Sequence, residues 1–211
     1  MFLKKLSIIF IVTTLIIILQ NGLIYAQEPQ AFDSLQIGLK YTANINRNIF
    51  HDFYEPGKGI EGFVEMPFYY GDIQAAVQIL SYSAKKKGLT LIEAKGKVQG
   101  FHGIFTHLKW GKQYSLPYGV GWFTGIGIGL CAFLPNKPTW SDPYQVAHFT
   151  ETELSASLNS HLSYPIYQNW TMRLEGSYNR IFTYKQIDLA YFSIGIGYSF
   201  ATPKWIKVFL E

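Results

Sequence analysis

The chain has 211 residues, 48% hydrophobic, 17% aromatic and only 15% charged, with a formal net charge of +4. A soluble domain usually carries roughly a quarter charged residues, so this balance argues against one, and an excess of basic residues this small argues against a nucleic-acid surface. A lone cysteine, Cys131, excludes an intramolecular disulfide framework.

Residues 1–26 begin with Lys4 and Lys5, continue as an apolar run from Leu6 to Leu19 broken by Ser7, Thr13 and Thr14, and close on Ile24, Tyr25 and Ala26 before Gln27. A basic start, an apolar middle and a small residue at the end predict a cleaved secretory signal peptide and Sec export, with an uncleaved membrane anchor as the alternative. Beyond Ala26 no apolar run approaches the roughly 18 residues of a membrane helix. The apolar residues are instead dispersed in alternation.

Eight segments of period 2 follow, each about ten residues long. Residues 34–44 set Leu35, Ile37, Leu39, Tyr41 and Ala43 against Gln36, Gly38, Lys40 and Thr42. Residues 60–70 set Gly62, Val64, Met66 and Phe68 against Glu61 and Glu65, and residues 73–82 set Ile73, Ala75, Val77 and Ile79 against Gln74, Ala76 and Gln78. The fourth segment, 98–110, alternates least cleanly. The fifth, 118–133, has Val120, Trp122, Thr124, Ile126, Ile128 and Leu130 facing away from a column of Gly119, Gly121, Gly125, Gly127 and Gly129. In 152–164, Leu154, Ala156, Leu158 and Leu162 oppose Glu153, Ser155, Ser157, Asn159, His161 and Ser163. In 170–178, Trp170, Met172, Leu174 and Tyr178 oppose Thr171, Arg173, Glu175 and Ser177. The last segment, 189–200, sets Ala190, Phe192, Ile194, Ile196, Tyr198 and Phe200 against Ser193, Gly195, Gly197 and Ser199.

The connections sort by parity. Gaps 45–59, 83–97, 134–151 and 179–188 are long and polar, whereas 71–72, 111–117 and 165–169 are shorter. Long outer loops alternating with short periplasmic turns, on an even number of strands, predict a bacterial outer-membrane barrel with both termini in the periplasm. A soluble β-sandwich has no reason to sort its loops in this way. The expectation is an all-β chain: a signal peptide at 1–26, an eight-stranded antiparallel up-and-down transmembrane β-barrel at 27–200, and an apolar tail at 201–211.

Eight strands enclose a lumen just wide enough for side chains to fill. On the face opposite the lipid-facing stripe fall Lys40, Glu61, Glu65, Lys109, Glu153, Arg173, Glu175 and His161. Charges in so narrow a space persist only when paired and hydrogen-bonded, so their near-balance predicts a salt-bridged plug, with a narrow conduit as the alternative. The missing side chains of the fifth segment's glycines leave room for long neighbours from across the lumen.

With its terminal SIGIGYSF, residues 193–200, the pattern resembles the small eight-stranded outer-membrane proteins, the group of the OmpA transmembrane domain, OmpX and OmpW, in a Tyr-rich and Gly-rich style like that of the Bacteroidota. The resemblance implies that Tyr198 and Phe200 form the aromatic signal read by the barrel-assembly machinery. It also implies surroundings of outer-membrane lipid and lipopolysaccharide, and a structural or interaction role through the extracellular loops. One departure stands out: residues 201–211 continue past the aromatic, with Pro203 stopping the strand and Trp205, Ile206, Val208, Phe209 and Leu210 in the tail.

His161, Ser163 and Glu175 resemble the site of the lipid A deacylase PagL, an implied hydrolase in which His161 takes the Ser163 proton and Glu175 orients the imidazole. The resemblance departs at Tyr164, where that family has Asn. A turn at 165–169 predicts His161 opposite about Met172, leaving Glu175 roughly 10 Å away. That turn is moreover periplasmic, far from outer-leaflet lipid A, so a catalytic role is not the preferred expectation. Residues 125–129 lack the spacing and following helix of a dinucleotide loop, and the scattered histidines lack metal-ligand spacing, so no cofactor or metal is expected. Lys85, Lys86 and Lys87 offer a basic outer loop to lipopolysaccharide phosphates, and Trp110, Tyr118, Trp122, Tyr164, Trp170 and Tyr198 read as interfacial girdles.

Overall fold

Side chains that alternate strictly between apolar and polar or small cannot all be satisfied in a helix, but in a strand each kind gets its own face. The computed structural model, which describes residues 31–45, 54–85, 100–135, 151–183 and 187–210, resolves this alternation into eight strands. They are β1 (Ser34–Asn44), β2 (Lys58–Phe68), β3 (Gly71–Tyr82), β4 (Phe101–Ser115), β5 (Gly121–Pro135), β6 (Glu151–Tyr167), β7 (Trp170–Ile181) and β8 (Ile187–Ala201). Each pairs antiparallel with its sequence neighbours, and β1 closes on β8 from Ser34↔Ala201 to Asn44↔Tyr191, giving a closed up-and-down barrel. Closure leaves no unpaired edge, the condition for sheet backbone to sit in lipid. The predicted export segment, 1–26, lies outside the described residues.

Both termini of the barrel and its short connections lie at one end, here the terminal end; the long connections lie at the other, the loop end. The bounds of β2, β4, β5 and β6 differ from the sequence expectation for identifiable reasons, while β3, β7 and β8 run one to three residues further than expected. β2 sits two residues earlier than 60–70, because Tyr69 and Tyr70 make the turn, with Tyr69 at φ 47°. Positive φ at the first position of a two-residue hairpin loop matches the twist of the strands it joins. β4 starts at Phe101 rather than 98 and runs on to Ser115 rather than 110. Its inward face mixes Phe105, His107, Lys109 and Gly111, which hides the period. Residues 117–119 form a single 3-10 turn, so β5 begins at Gly121. β6 continues through Pro165 to Tyr167 with a register irregularity between the two, as a residue without an N–H requires.

The outer face carries many exposed apolar side chains, among them Ile37, Leu39, Val77, Leu108, Ile128 and Leu158, each 45–69% exposed. An apolar belt that encircles a chain is a lipid-contacting surface, since soluble monomers rarely expose more than a few hundred Å² of contiguous apolar area. Tyr198 and Phe200 point into this belt, Tyr198 packing 5.1 Å from Trp170 and 6.2 Å from Phe200, centroid to centroid. After Pro203 the predicted apolar tail is a short helix, α1 (Lys204–Leu210), with Trp205 and Val208 exposed. An ion pair from Lys207 to Asp33 and a 3.1 Å hydrogen bond from Thr202 N–H to the Asp33 carbonyl tie it to the segment before β1.

Candidate functional site

The inward residues fill the lumen in layers. At the loop end Leu80, Tyr82, Phe101, Phe105, Cys131, Ile181, Leu189 and Tyr191 form one buried apolar cluster. Tyr82 stacks on Phe101 at 4.8 Å, and the Tyr82 and Tyr191 hydroxyls share a 3.1 Å hydrogen bond. A buried phenol finds its partner in this way, so the cluster is both apolar and polar-satisfied.

Beneath it lies an ionic ring whose members are at most 2% exposed. Lys40 of β1 pairs with Glu61 of β2 at 2.7 Å and with Glu175 of β7; Lys109 of β4 pairs with the same two carboxylates at 3.3 and 2.9 Å. Two ammoniums and two carboxylates alternate around the lumen and cancel in charge. Gln78 Nε2 donates to the remaining Glu61 oxygen at 3.3 Å.

Toward the terminal end a second cluster forms on Arg173, whose two terminal nitrogens each donate to one Glu65 oxygen at 2.9 Å. This is the bidentate geometry that makes guanidinium–carboxylate pairs strong. Gln74 adds a 2.8 Å donor to Glu65, Arg173 also reaches Gln36, and Gln36 in turn donates at 2.9 Å to Thr171 and to Ser199. Phe63, on β2 between Glu61 and Glu65, lies between the clusters: its ring centroid is 4.3 Å from the Arg173 guanidinium and 5.0 Å from the Lys40 ammonium.

Glycines make the ring possible, though not by admitting chains from across the lumen. Lys109 is the register partner of Gly127, and Lys40 of Gly195. Each lysine lies flat over the glycine on the adjacent strand and extends from there to the centre. A Cβ at Gly127 would stand 2.6 Å from Ser157 Oγ and 2.9 Å from Lys109 Cγ, whereas one at Gly62, on the outer face, meets nothing within 4 Å. Gly127→Val is therefore expected to destabilise the barrel by about 1–3 kcal/mol through overpacking, with Gly62→Val within about 0.5 kcal/mol of the parent; urea unfolding in lipid vesicles measures both.

Of the lumen charges expected from sequence, Lys40, Glu61, Lys109 and Glu175 meet in the ring, and Glu65 with Arg173 in the second cluster. Glu153 does not join them: it is half-buried toward the loop end opposite Cys131, and among the described residues no ion pair reaches it. The expected separation of His161 from Glu175 is also corrected. Because β6 runs to Tyr167 and the turn shrinks to Gln168 and Asn169, the register sets His161 directly opposite Glu175 and Ser163 opposite Arg173. The chemistry still does not assemble. Glu175 is held by the two lysines, His161 stacks on Phe123 at 4.7 Å with neither ring nitrogen hydrogen-bonded, and Ser163 Oγ donates to the Gly121 carbonyl at 3.5 Å. Ser157 Oγ and the Asn159 amide, inward on the same strand, likewise have no hydrogen-bond partner among the described residues.

Sequence reasoning missed the apolar half of the lumen. Phe63, Leu80, Phe123 and Tyr191 each stand two residues from an inward polar or glycine residue, and Tyr82 and Leu189 two residues from Leu80 and Tyr191 in turn, so parity was the available signal.

No protein-family model and no curated protein sequence matches the chain. Solved structures do. The outer membrane protein OprG from Pseudomonas aeruginosa superposes with a TM-score of 0.57 at 12% identity, covering 82% of this chain and 98% of that one. Neisserial surface protein A superposes with a TM-score of 0.50 at 13% identity, covering 81% and 96%. At these identities the likeness is one of fold, that of the small eight-stranded outer-membrane β-barrels.

Proposed function

We propose that this small outer-membrane-type β-barrel sits in the bacterial outer membrane with its lumen closed, and that it works through the surfaces it turns outward. The observation that carries the reading is the Lys40–Glu61–Lys109–Glu175 ring, drawn from β1, β2, β4 and β7 and buried on all sides. A lumen of eight strands has no room for a path beside such a ring, and the aromatic cluster lies over it at the loop end. What remains for function is the lipid-facing wall and the long loop-end connections, whose sequences at 45–59 and 134–151 are long enough to meet a partner outside the cell. Outward-facing Tyr198 and Phe200 on the closing strand support recognition by the barrel-assembly machinery.

Planar-bilayer recording tests the closed lumen. The purified barrel is expected to give no discrete current steps; steady steps whose ion selectivity changes in Glu61→Gln and Glu65→Gln would overturn the reading. The unpartnered polar atoms of Ser157, Asn159 and His161 favour a second reading, a narrow polar conduit along β6, and the same recording separates the two. A hydrolase reading on His161, Ser163 and Glu175 needs a serine–imidazole hydrogen bond that this geometry does not make. Incubation with lipid A is expected to release no acyl chain, and release that is lost in Ser163→Ala would establish the enzyme instead.

A further inference from the structure

The outer wall is not uniformly apolar. Register aligns Lys112 of β4 with Thr124 of β5, Thr124 with Ser160 of β6, and Ser160 with Gly176 of β7. All four face outward, so a diagonal row of one cation and three small residues crosses four strands of the belt. A groove of about 720 Å³ follows this row, walled by Trp110, Ile126, Leu158 and Tyr178. Its size falls within the roughly 300–1,000 Å³ of small-ligand sites. The floor at Gly176 is open, since a Cβ there meets nothing within 4 Å. Ser160 Oγ accepts a 2.8 Å hydrogen bond from Trp122 Nε1, which fixes the hydroxyl on the neighbouring strand.

The row has a direction. Lys112 lies three residues before the terminal end of β4, beside Tyr70 and Tyr114, at the level where Tyr and Trp mark a membrane interface. Gly176 lies six residues along β7 from Trp170, well inside the belt. Among the described residues Lys112 forms no ion pair, and the groove's lining contains no carboxylate. An exposed ammonium at the interface, continuous with a small-residue trough that climbs into the hydrocarbon, matches a phosphate joined to an acyl chain. A second copy of the barrel matches it less well. In a membrane an isologous pair has its two-fold axis along the bilayer normal, which brings two Lys112 ammoniums to the same level with no acid in the groove to separate them.

We propose that this groove seats one glycerophospholipid of the periplasmic leaflet, its phosphate on Lys112 and one acyl chain along Thr124, Ser160 and Gly176. The inference rests on the membrane placement above but not on the closed lumen, so a conducting barrel leaves it standing. Native mass spectrometry of the detergent-purified barrel titrated with phosphatidylglycerol tests it, each variant first being checked for heat-modifiable gel migration as the mark of a folded barrel. One lipid per barrel is expected on the parent. Lys112→Gln, at an exposed position, is expected to weaken binding about fivefold, and Gly176→Leu, which fills the trough, to abolish the adduct. Gly62→Leu adds the same bulk at an equally open position on β2 and is expected to leave binding unchanged. Equal lipid binding by the parent and by Gly176→Leu, or barrel dimers in place of the lipid adduct, would overturn the proposal.

Discussion

Glu175→Leu is expected to cost about 3–5 kcal/mol of folding stability, because it breaks a buried ion network by removing one partner and leaves charge behind uncompensated. In the parent, Lys40 and Lys109 each touch both Glu61 and Glu175. With Glu175 gone, two buried ammoniums share the single carboxylate of Glu61, at positions no more than 2% exposed. The loss belongs to the burial of an unpaired charge, not to the worth of one salt bridge, and a compensating change makes the difference visible. Lys109→Met combined with Glu175→Leu leaves Lys40 paired with Glu61 at 2.7 Å and no surplus charge. It is expected to recover most of the stability, since well-packed apolar replacements of buried ion pairs are often neutral or better. Urea unfolding in vesicles of the parent, both single variants and the double variant completes the cycle. A Glu175→Leu variant within about 1 kcal/mol of the parent would mean that solvent reaches the ring and the lumen is not closed by it.

The sequence made the architecture legible because a barrel in lipid separates its two faces more sharply than a soluble fold does. β1 and β8 read almost to the residue, since Ile37, Leu39 and Tyr41, like Ile194, Ile196 and Tyr198, stand outward against small or polar partners inward. β4 read worst. Its inward Phe101 and Phe105 are as apolar as the outward Ile104 and Leu108, so periodicity loses contrast where the lumen itself is apolar. The same cause hid the aromatic cluster. Lys40, Glu61, Lys109 and Glu175 could be assigned to the lumen by parity, but no pattern in one strand tells which charges meet. That depends on cross-strand register, and register near β6 turned on how Pro165 is accommodated. A two-residue turn in place of the expected five moved Glu175 opposite His161. Glu153 shares the parity of the lumen charges yet lies too far toward the loop end to reach them, a difference of height that alternation does not encode.

Arg173 carries the second large effect. Its two nitrogens on the two Glu65 oxygens, at 2.9 Å each, and its guanidinium carbon over the Phe63 ring, 4.3 Å from the centroid, use what distinguishes arginine from lysine. Arg173→Leu leaves Glu65 buried with only the Gln74 amide as donor, and a loss of about 3–5 kcal/mol is expected. Arg173→Lys keeps the charge and forfeits one of the parallel bonds together with the stacking, for an expected loss of about 1.5–3 kcal/mol. The two ionic clusters are not independent, because the Phe63 ring between them is faced by Arg173 and, at 5.0 Å, by Lys40. Adding Glu175→Leu to Arg173→Lys tests that bridge, which runs from Arg173 through Phe63 and Lys40 to Glu175: residues of one connected network couple by about 0.5–3 kcal/mol, so the double variant is expected to depart from the sum of the singles. Replacing Phe63 by Leu removes the shared ring while keeping an apolar side chain, and in that background the same two substitutions are expected to add. Strict additivity with Phe63 in place would show instead that the lumen is closed by two separate devices, either of which holds without the other.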